Sequence, residues 1–500
     1  MKPYYITTTL PYVNADPHIG FAMEIIQADV LARYHRLLGE EVIFNTGTDE
    51  HGLKIFRKAV ENKEELQAYC DRYAVKFDAL KQALNLSYTN FIRTTDEHHI
   101  EAAQEFWRLC AKNGDIYKKN YQVKYCVGCE LEKTESELVE GKCSIHPNLT
   151  IELIDEENYF FKFSKFQKPL LDFYEKNPGF VVPNNRLQEI KNFVAAGLDD
   201  FSISRLKSKM PWGVSVPDDE EQVVYVWFDA LINYISTLNW PLDNKIFDKF
   251  WPGVQVAGKD NLRQQSAMWQ AMLMSAGLPN SKQIFIHGFI TSGGQKMSKS
   301  LGNVVDPFEI VNKYGTDATR YFLLGALPAY DDGDFTIEKF EKYYSSHLAN
   351  GIGNLTSRIL TMVEKYADNK IPTVAEDIFD LPTFWDNYEE TLTNYQFDET
   401  VRYLDLLIIN CDLAISEQKP WEKAKKGEDI QPLLYQLAEC LRHIGLALLP
   451  ILPGTAEKIL NSFGIELDSI DELNQEKKWG GLKPGIDVKK TEMLFPRLIQ

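Results

Sequence analysis

Along the first fifty residues the hydrophobic pattern changes period twice. Tyr4-Tyr5-Ile6-Thr7-Thr8-Thr9-Leu10 is a β-branched and aromatic run that predicts a buried strand. A loop with proline at each end, Pro11 to Pro17, follows it. Ala22, Ile25, Ile26, Val30, Leu31, Tyr34, Leu37 and Leu38 then recur at helical spacing, and Gly39 supplies the stop. Val42-Ile43-Phe44 predicts a second strand. Strand, helix and strand in that order make a βαβ unit, which implies a parallel sheet with a right-handed crossover.

From Tyr117 to about Tyr225 the pattern changes. Short aromatic strands such as Tyr159-Phe160-Phe161-Lys162-Phe163, cysteines and Pro/Gly turns replace the amphipathic helices, as in an insertion. Parallel-sheet character returns at Val223 to Phe228, Val254 to Ala257 and Gln283 to Phe289. Beyond about Tyr343 the chain is almost entirely helical, with Leu437, Leu441, Ile444 and Leu448 forming one apolar stripe. The expected fold is α/β: a Rossmann-like parallel sheet split by an insertion, then an α-helical bundle. The boundaries fall at residues 1–116, 117–224, 225–290, 291–345 and 346–500.

Composition narrows the function. The 500 residues carry 54 basic and 72 acidic side chains, a net charge of 54 − 72 = −18, which argues against a protein that coats nucleic acid non-specifically. No stretch approaches the ~20 apolar residues of a membrane span, and the N-terminal residues lack a signal-peptide core, so a cytoplasmic protein without a membrane partner is expected. Of seven cysteines, Cys70, Cys110, Cys411 and Cys440 stand singly and read as small buried hydrophobes. Cys126-Val127-Gly128-Cys129 and Cys143-Ser144-Ile145-His146 form two knuckles. Three thiolates and an imidazole at that spacing predict one structural Zn²⁺ site with no open position; free thiols beside a coincidental histidine are the alternative.

Neither a Walker P-loop nor a Gly-x-Gly-x-x-Gly fingerprint is present. Pro17-His18-Ile19-Gly20 instead lies between the first strand and the first helix, where open α/β sheets bind ligands. There unpaired N–H groups, Gly20 and the His18 ring are expected to meet phosphate or adenine. Gly293-Gly294-Gln295-Lys296-Met297-Ser298-Lys299-Ser300 offers two glycines as a mobile hinge, and Lys296 and Lys299 as cations for a polyphosphate. Each element alone reads as an ordinary turn or surface loop.

Together, His-Ile-Gly near the N-terminus and Lys-Met-Ser-Lys-Ser far downstream resemble the paired signature of class I aminoacyl-tRNA synthetases. Leu10-Pro11-Tyr12-Val13-Asn14-Ala15, Gly47-Thr48-Asp49-Glu50-His51-Gly52, Tyr225-Val226-Trp227-Phe228-Asp229-Ala230, Gly258-Lys259-Asp260 and Pro420-Trp421 resemble blocks of the methionyl-tRNA synthetase family. The resemblance implies an ATP-dependent ligase, with Mg²⁺ accompanying ATP, that joins L-methionine to tRNA(Met) through a methionyl-adenylate. It implies that Leu10, Tyr12, Trp227, Ala230 and Tyr234 surround the methionine side chain and that Asp49 takes its ammonium group. It assigns ATP to His18, Gly20, Asp260, Lys296 and Lys299, with His18 and both lysines catalytic. It makes residues 346–500 an anticodon-binding domain, read out by Asn354, Arg358 and Trp421. A sister synthetase of other specificity and a non-catalytic tRNA-binding paralogue are the alternatives.

Three features depart from the family pattern. Phe21 stands where the signature usually has a second histidine, which leaves His51 and Lys54 as candidates for its role. Asn261 and Gln265 stand where the methionine pocket usually has an apolar residue and a histidine. The appended tRNA-binding and dimerising domain of some members is not seen after Phe495-Pro496-Arg497, so a monomer is expected.

Overall fold

The computed structural model describes residues 1–129, 131–133, 137–297, 302–467, 470 and 472–498. Six strands form its central sheet: β1 (Pro3–Thr7), β2 (Glu41–Thr48), β3 (Asn90–Arg93), β4 (Val181–Val182), β5 (Val254–Gly258) and β6 (Gln283–His287). Their order is β3-β2-β1-β5-β6-β4, and every neighbouring pair is parallel. The order reverses between β1 and β5, so their carboxyl ends open a crevice that no connection closes.

Helix α1 (Ile19–Leu37) crosses from β1 to β2, as the helical spacing predicts, but starts three residues before the first periodic apolar position. It is buried on almost every side, which explains its weak amphipathic contrast. Both sheet faces are covered, as a parallel sheet requires. Tyr4, Ile6, Val254, Val256 and Phe285 join one core, while Tyr5, Ala257, Ile284 and Ile286 join the other.

The first of these cores also holds most of the buried face of α1 and of the C-terminal helices. Those helices span Asn354–Ala367, Leu381–Thr393, Phe397–Gln418, Gln431–Leu448 and Pro453–Asn461. Tyr34 of α1 meets Tyr388 edge-on at 6.5 Å. Arg320, wholly buried, binds Asp29 of α1 at 2.8 Å and donates to the Pro450 and Ile451 carbonyls at 2.9 and 2.8 Å. The buried stripe Leu437, Leu441, Ile444 and Leu448 lies where its spacing places it.

Two stretches differ from expectation. Val223 to Phe228 does not join the parallel sheet. Asp219–Val224 pairs antiparallel with Ser204–Leu206 and Ser215–Val216, and the chain then turns into the helix Val226–Ala230. A short apolar run has no period of its own, so strand and buried helix read alike. Val181–Val182, within the stretch read as insertion, is the edge strand of the central sheet. The insertion's own sheet is antiparallel, built on Ile116–Cys126 paired with Glu152–Phe161.

Candidate active site and metal centre

A cavity of about 500 Å³ opens at the carboxyl ends of β1 and β5. Leu10, Tyr12, His18, Gly20, Asp49, Trp227, Ala230, Tyr234, Asp260 and Lys296 all line it, together with Phe21, Lys54, Asn261, Gln265 and His287. Lys299 lies outside the described residues. Asn354, Arg358 and Trp421 lie elsewhere, on the helical part.

His18 is the N-cap of α1. Its Nδ1 accepts the N–H groups of Gly20 and Phe21 at 3.1 and 3.3 Å, so its proton sits on Nε2. Burial holds this imidazole below its ordinary pKa, against the opposing charge of Glu24. The N–H of Ile19 goes to the Val305 carbonyl and that of Ala22 to the His18 carbonyl. The first-turn N–H groups are therefore occupied, and the free donor at this helix end is His18 Nε2, beside a positive dipole end. Gly20 serves the same arrangement, since a Cβ there would stand 3.0 Å from His18 Nδ1 and Cε1.

The glycine pair at 293–294 sits in a hairpin turn. Gly293 and Gly294, at φ 62° and 74°, are the two-residue turn of a hairpin that pairs Ser292 with Gln295 and Thr291 with Lys296. Positive φ at both positions matches the strand twist, and glycine adopts it without strain. Asp334 accepts the Gly294 N–H at 2.7 Å and the Thr291 hydroxyl at 2.8 Å. Lys296 is exposed at the cavity mouth, 5.5 Å over the Phe289 ring. Met297 comes within 3.9 Å of the position a Gly20 Cβ would take, so hairpin and helix start face each other.

Away from the helix start the lining is aromatic with a few buried polar groups. Tyr12 meets Trp227 edge-on at 6.3 Å. Tyr234 accepts from Gln265 Nε2 at 2.6 Å, so glutamine makes a polar contact at the departed position. Asp49, almost wholly buried, is held by an isolated bridge to Tyr12. Among the described residues the Trp227 indole N–H and the Gln264 and Gln265 amide oxygens are buried without a partner, which a bound ligand can satisfy. The set offers a carboxylate for an ammonium group and an aromatic, polarisable slot for an unbranched side chain.

Sequence reading missed a charged pair on the cavity floor. Glu24 accepts the Thr9 N–H and hydroxyl at 2.8 and 2.6 Å, and its other oxygen lies 2.9 Å from His287 Nε2. His287 Nδ1 lies 2.7 Å from the Gly288 carbonyl, so both ring nitrogens face acceptors. Burial alone would lower this imidazole's pKa, but Glu24, the Gly288 carbonyl and Asp260 raise it. Asp260, at the end of β5, is raised by burial and by Glu24, with His287 and Lys296 opposing.

Phe21 packs edge-on against Phe77 at 5.7 Å and can donate nothing. Of the two candidates for the absent histidine's role, His51 is buried, does not line the cavity and has its Nδ1 2.6 Å from Asp229. Lys54 lines the cavity, 5.7 Å over Tyr12, and donates to the Gly128 carbonyl at 3.4 Å.

The ligand atoms of Cys126, Cys129, Cys143 and His146 lie within 4.8 Å of one another. Cys129 Sγ stands 3.4 Å from Cys143 Sγ and 3.2 Å from His146 Nδ1, and Cys126 Sγ 3.9 Å from His146 Nδ1. These spacings exceed the ~2.05 Å of a disulfide and suit a tetrahedron with bonds of about 2.0–2.3 Å. Gly128 is required here, because a Cβ would meet the His146 ring at 2.6 Å. The residues fit Zn²⁺, and Gly128, Cys129, Ile145 and His146 also line the cavity.

In the helical part, Asn354 begins the helix Asn354–Ala367 and is exposed. Arg358, one turn on, donates to Asp412. Trp421 is 38% exposed. Among the described residues no helix is long and apolar enough to cross a membrane.

A parallel sheet of this order, with a His-Ile-Gly helix start and a lysine-bearing hairpin facing each other across its switch point, is the arrangement that the resemblance to class I aminoacyl-tRNA synthetases implies. A family model described as "tRNA synthetases class I (M)" matches residues 4–148 and 127–360. The methionine–tRNA ligase of Thermosynechococcus vestitus is 41% identical over 528 residues, covering 100% of this chain and 98% of that protein. That of Thermotoga maritima is 40% identical over 508 residues, covering 99% and 80%. A solved structure of Mycobacterium tuberculosis methionyl-tRNA synthetase in complex with methionyl-adenylate matches with a TM-score of 0.94 at 37% identity, covering 99% of this chain and 100% of that one. The chain belongs to the methionyl-tRNA synthetase family.

Proposed function

We propose that this protein ligates L-methionine to tRNA(Met), using ATP and passing through methionyl-adenylate. The observation that carries the reading is the single cavity in which a buried carboxylate and an aromatic slot meet a neutral imidazole and a lysine. Asp49 takes the methionine ammonium, and Leu10, Tyr12, Trp227, Ala230 and Tyr234 enclose the thioether chain. ATP lies over Gly20 with its ribose at Asp260. The methionine carboxylate forms a bond to the α-phosphorus while the bond to the bridging oxygen breaks, and pyrophosphate leaves; Mg²⁺ bound with ATP would offset charge on the phosphates. His18 Nε2–H, Lys296 and Lys299 stabilise the charge that develops on the phosphates. The terminal ribose hydroxyl of the tRNA then attacks the activated carbonyl and AMP leaves. No protein nucleophile is needed, because positioning and charge stabilisation carry the rate.

Asn354, Arg358 and Trp421 read the anticodon; an exposed amide, a guanidinium and a part-exposed indole suit unstacked bases. Zn²⁺, when held by the four-ligand set, contributes folding free energy to the cavity wall. ATP–pyrophosphate exchange with each of the twenty amino acids tests the reading. Methionine is expected to dominate, and another amino acid exceeding it would overturn the assignment.

A further inference from the structure

Asp229 is wholly buried two residues after Trp227, and its carboxylate is divided between two imidazoles. Oδ2 lies 2.6 Å from His51 Nδ1 and Oδ1 lies 2.9 Å from His99 Nε2. His99 Nδ1 meets the Ser236 hydroxyl at 2.9 Å, so that ring is bonded at both ends. The two imidazoles hold Asp229 down to about 2 although burial acts to raise it. None of Asp229, His51 and His99 lines the cavity, so none is placed to touch substrate. Yet the cluster joins three elements around it: the segment after β2, the helix Glu97–Lys112 and the helix Val226–Ala230.

Two of those elements carry opposite walls of the amino-acid slot. His51 lies two residues beyond Asp49, and its N–H faces Asp49 Oδ1 at 3.4 Å. Asp229 shares a five-residue helix with Trp227 and Ala230. The segment after β2 is held on its other side by Trp212, whose Nε1 donates to the Glu50 carbonyl at 2.6 Å and whose ring meets His51 edge-on at 5.7 Å. The hydrogen bond from His51 to Asp229 thus ties the segment bearing Asp49 to the helix bearing Trp227, alongside Tyr12, which bridges Asp49 and meets the Trp227 ring. A burial of this cost would be repaid equally by apolar packing if only stability were at stake.

We propose that Asp229 and His51 are positioning residues for the amino-acid substrate, setting Asp49 against Trp227 and so fixing the width of the methionine slot. This rests on the methionine reading of the cavity. The nucleotide end does not depend on the latch, because its groups stand on α1, β5, β6 and the 290–296 hairpin. Affinity for the two substrates should therefore separate when it is broken.

The test measures ATP–pyrophosphate exchange and melting temperature for wild type, His51→Ala, His51→Asn and Asp229→Asn. In His51→Ala the KM for methionine is expected to rise about tenfold or more, with the KM for ATP within about twofold. His51→Asn, whose amide N–H can stand in for Nδ1–H, should recover most of that loss. Should Asp229→Asn fail to fold, the two His51 variants decide the matter. An unchanged methionine KM with a lower melting temperature would make the cluster purely structural and overturn the proposal. So would a parallel rise in both KM values, or His51→Asn as impaired as His51→Ala. Wild type that fails to exchange with methionine would overturn the functional reading and the latch together, whereas active wild type with an unaffected His51→Ala overturns the latch alone.

Discussion

The two ends of the one cavity are built on opposite plans. At the end proposed for the amino acid, the side chains are buried or half-buried and pack on one another: Tyr234 with Gln265, Tyr12 with Trp227, Asp49 beside the His51–Asp229 pair. At the end proposed for the nucleotide, His18, Asp260 and Lys296 keep accessible surface at the mouth, although enough protein surrounds His18 and Asp260 to shift both pKa values. The difference matches what each end must recognise. A small apolar side chain gives little to grip, so selectivity has to come from a preformed shape. A polyphosphate brings charge of its own, and the groups that meet it act on charge that appears only as the reaction proceeds.

If that division holds, substitutions at the two ends should damage different constants. Lys296→Met is expected to lower kcat for exchange about 10²- to 10³-fold while the methionine KM stays within about twofold. A loss confined to the methionine KM would break the comparison. Gly20→Ala pushes a methyl group against the His18 ring, and should cost about tenfold in kcat/KM for ATP, measured by varying ATP at saturating methionine. Equal loss for both substrates would mean that the ends are not separable. Gln265→Leu removes the hydrogen bond to Tyr234, and the expected change is a methionine KM about three- to tenfold higher with ATP kinetics intact.

The smallest effect concerns the floor between the ends. His287 has a raised pKa in the folded protein, so its bond to Glu24 contributes stability that is fully present below the ordinary imidazole value of about 6.5. That contribution fades as pH climbs through the raised folded value. The melting-temperature gap between wild type and His287→Gln should therefore be widest in mild acid, a few degrees at about pH 6, and narrow towards alkaline pH. A gap that widens with pH would show that the pair is not charged as described.

What could be read beforehand follows the range of the interactions. The βαβ unit, the Cys-x-x-Cys and Cys-x-x-His knuckles and the helical stripe are local patterns, and the structure realises each of them. The lining residues came from blocks of neighbouring residues, and the structure gathers those blocks around one cavity. Glu24, His287, Asp229 and His99 escaped because their partners lie more than a hundred residues away and nothing beside them announces the pairing. The 290–296 hairpin did carry a signal: two glycines between Ile290-Thr291-Ser292 and Gln295-Lys296 fit a two-residue turn. Burial explains the remaining misreading. At Val226–Ala230 the surrounding core, rather than any propensity of the residues, chose helix over strand.

The hydrophobic core shared by α1 and the C-terminal helices bears on any attempt to make a smaller enzyme. The pattern along the chain changes near residue 345, which invites a cut there. In space there is no seam: Tyr34 rests on Tyr388, and Arg320 spans from Asp29 to the carbonyls of residues 450 and 451. A fragment ending at that point would keep every cavity residue and lose the roof over a helix of about 28 Å. His18 would then cap a helix still seated on the sheet but with a greasy flank open to water. A workable miniature would have to resurface that flank first, and give Asp29 and Arg320 new company.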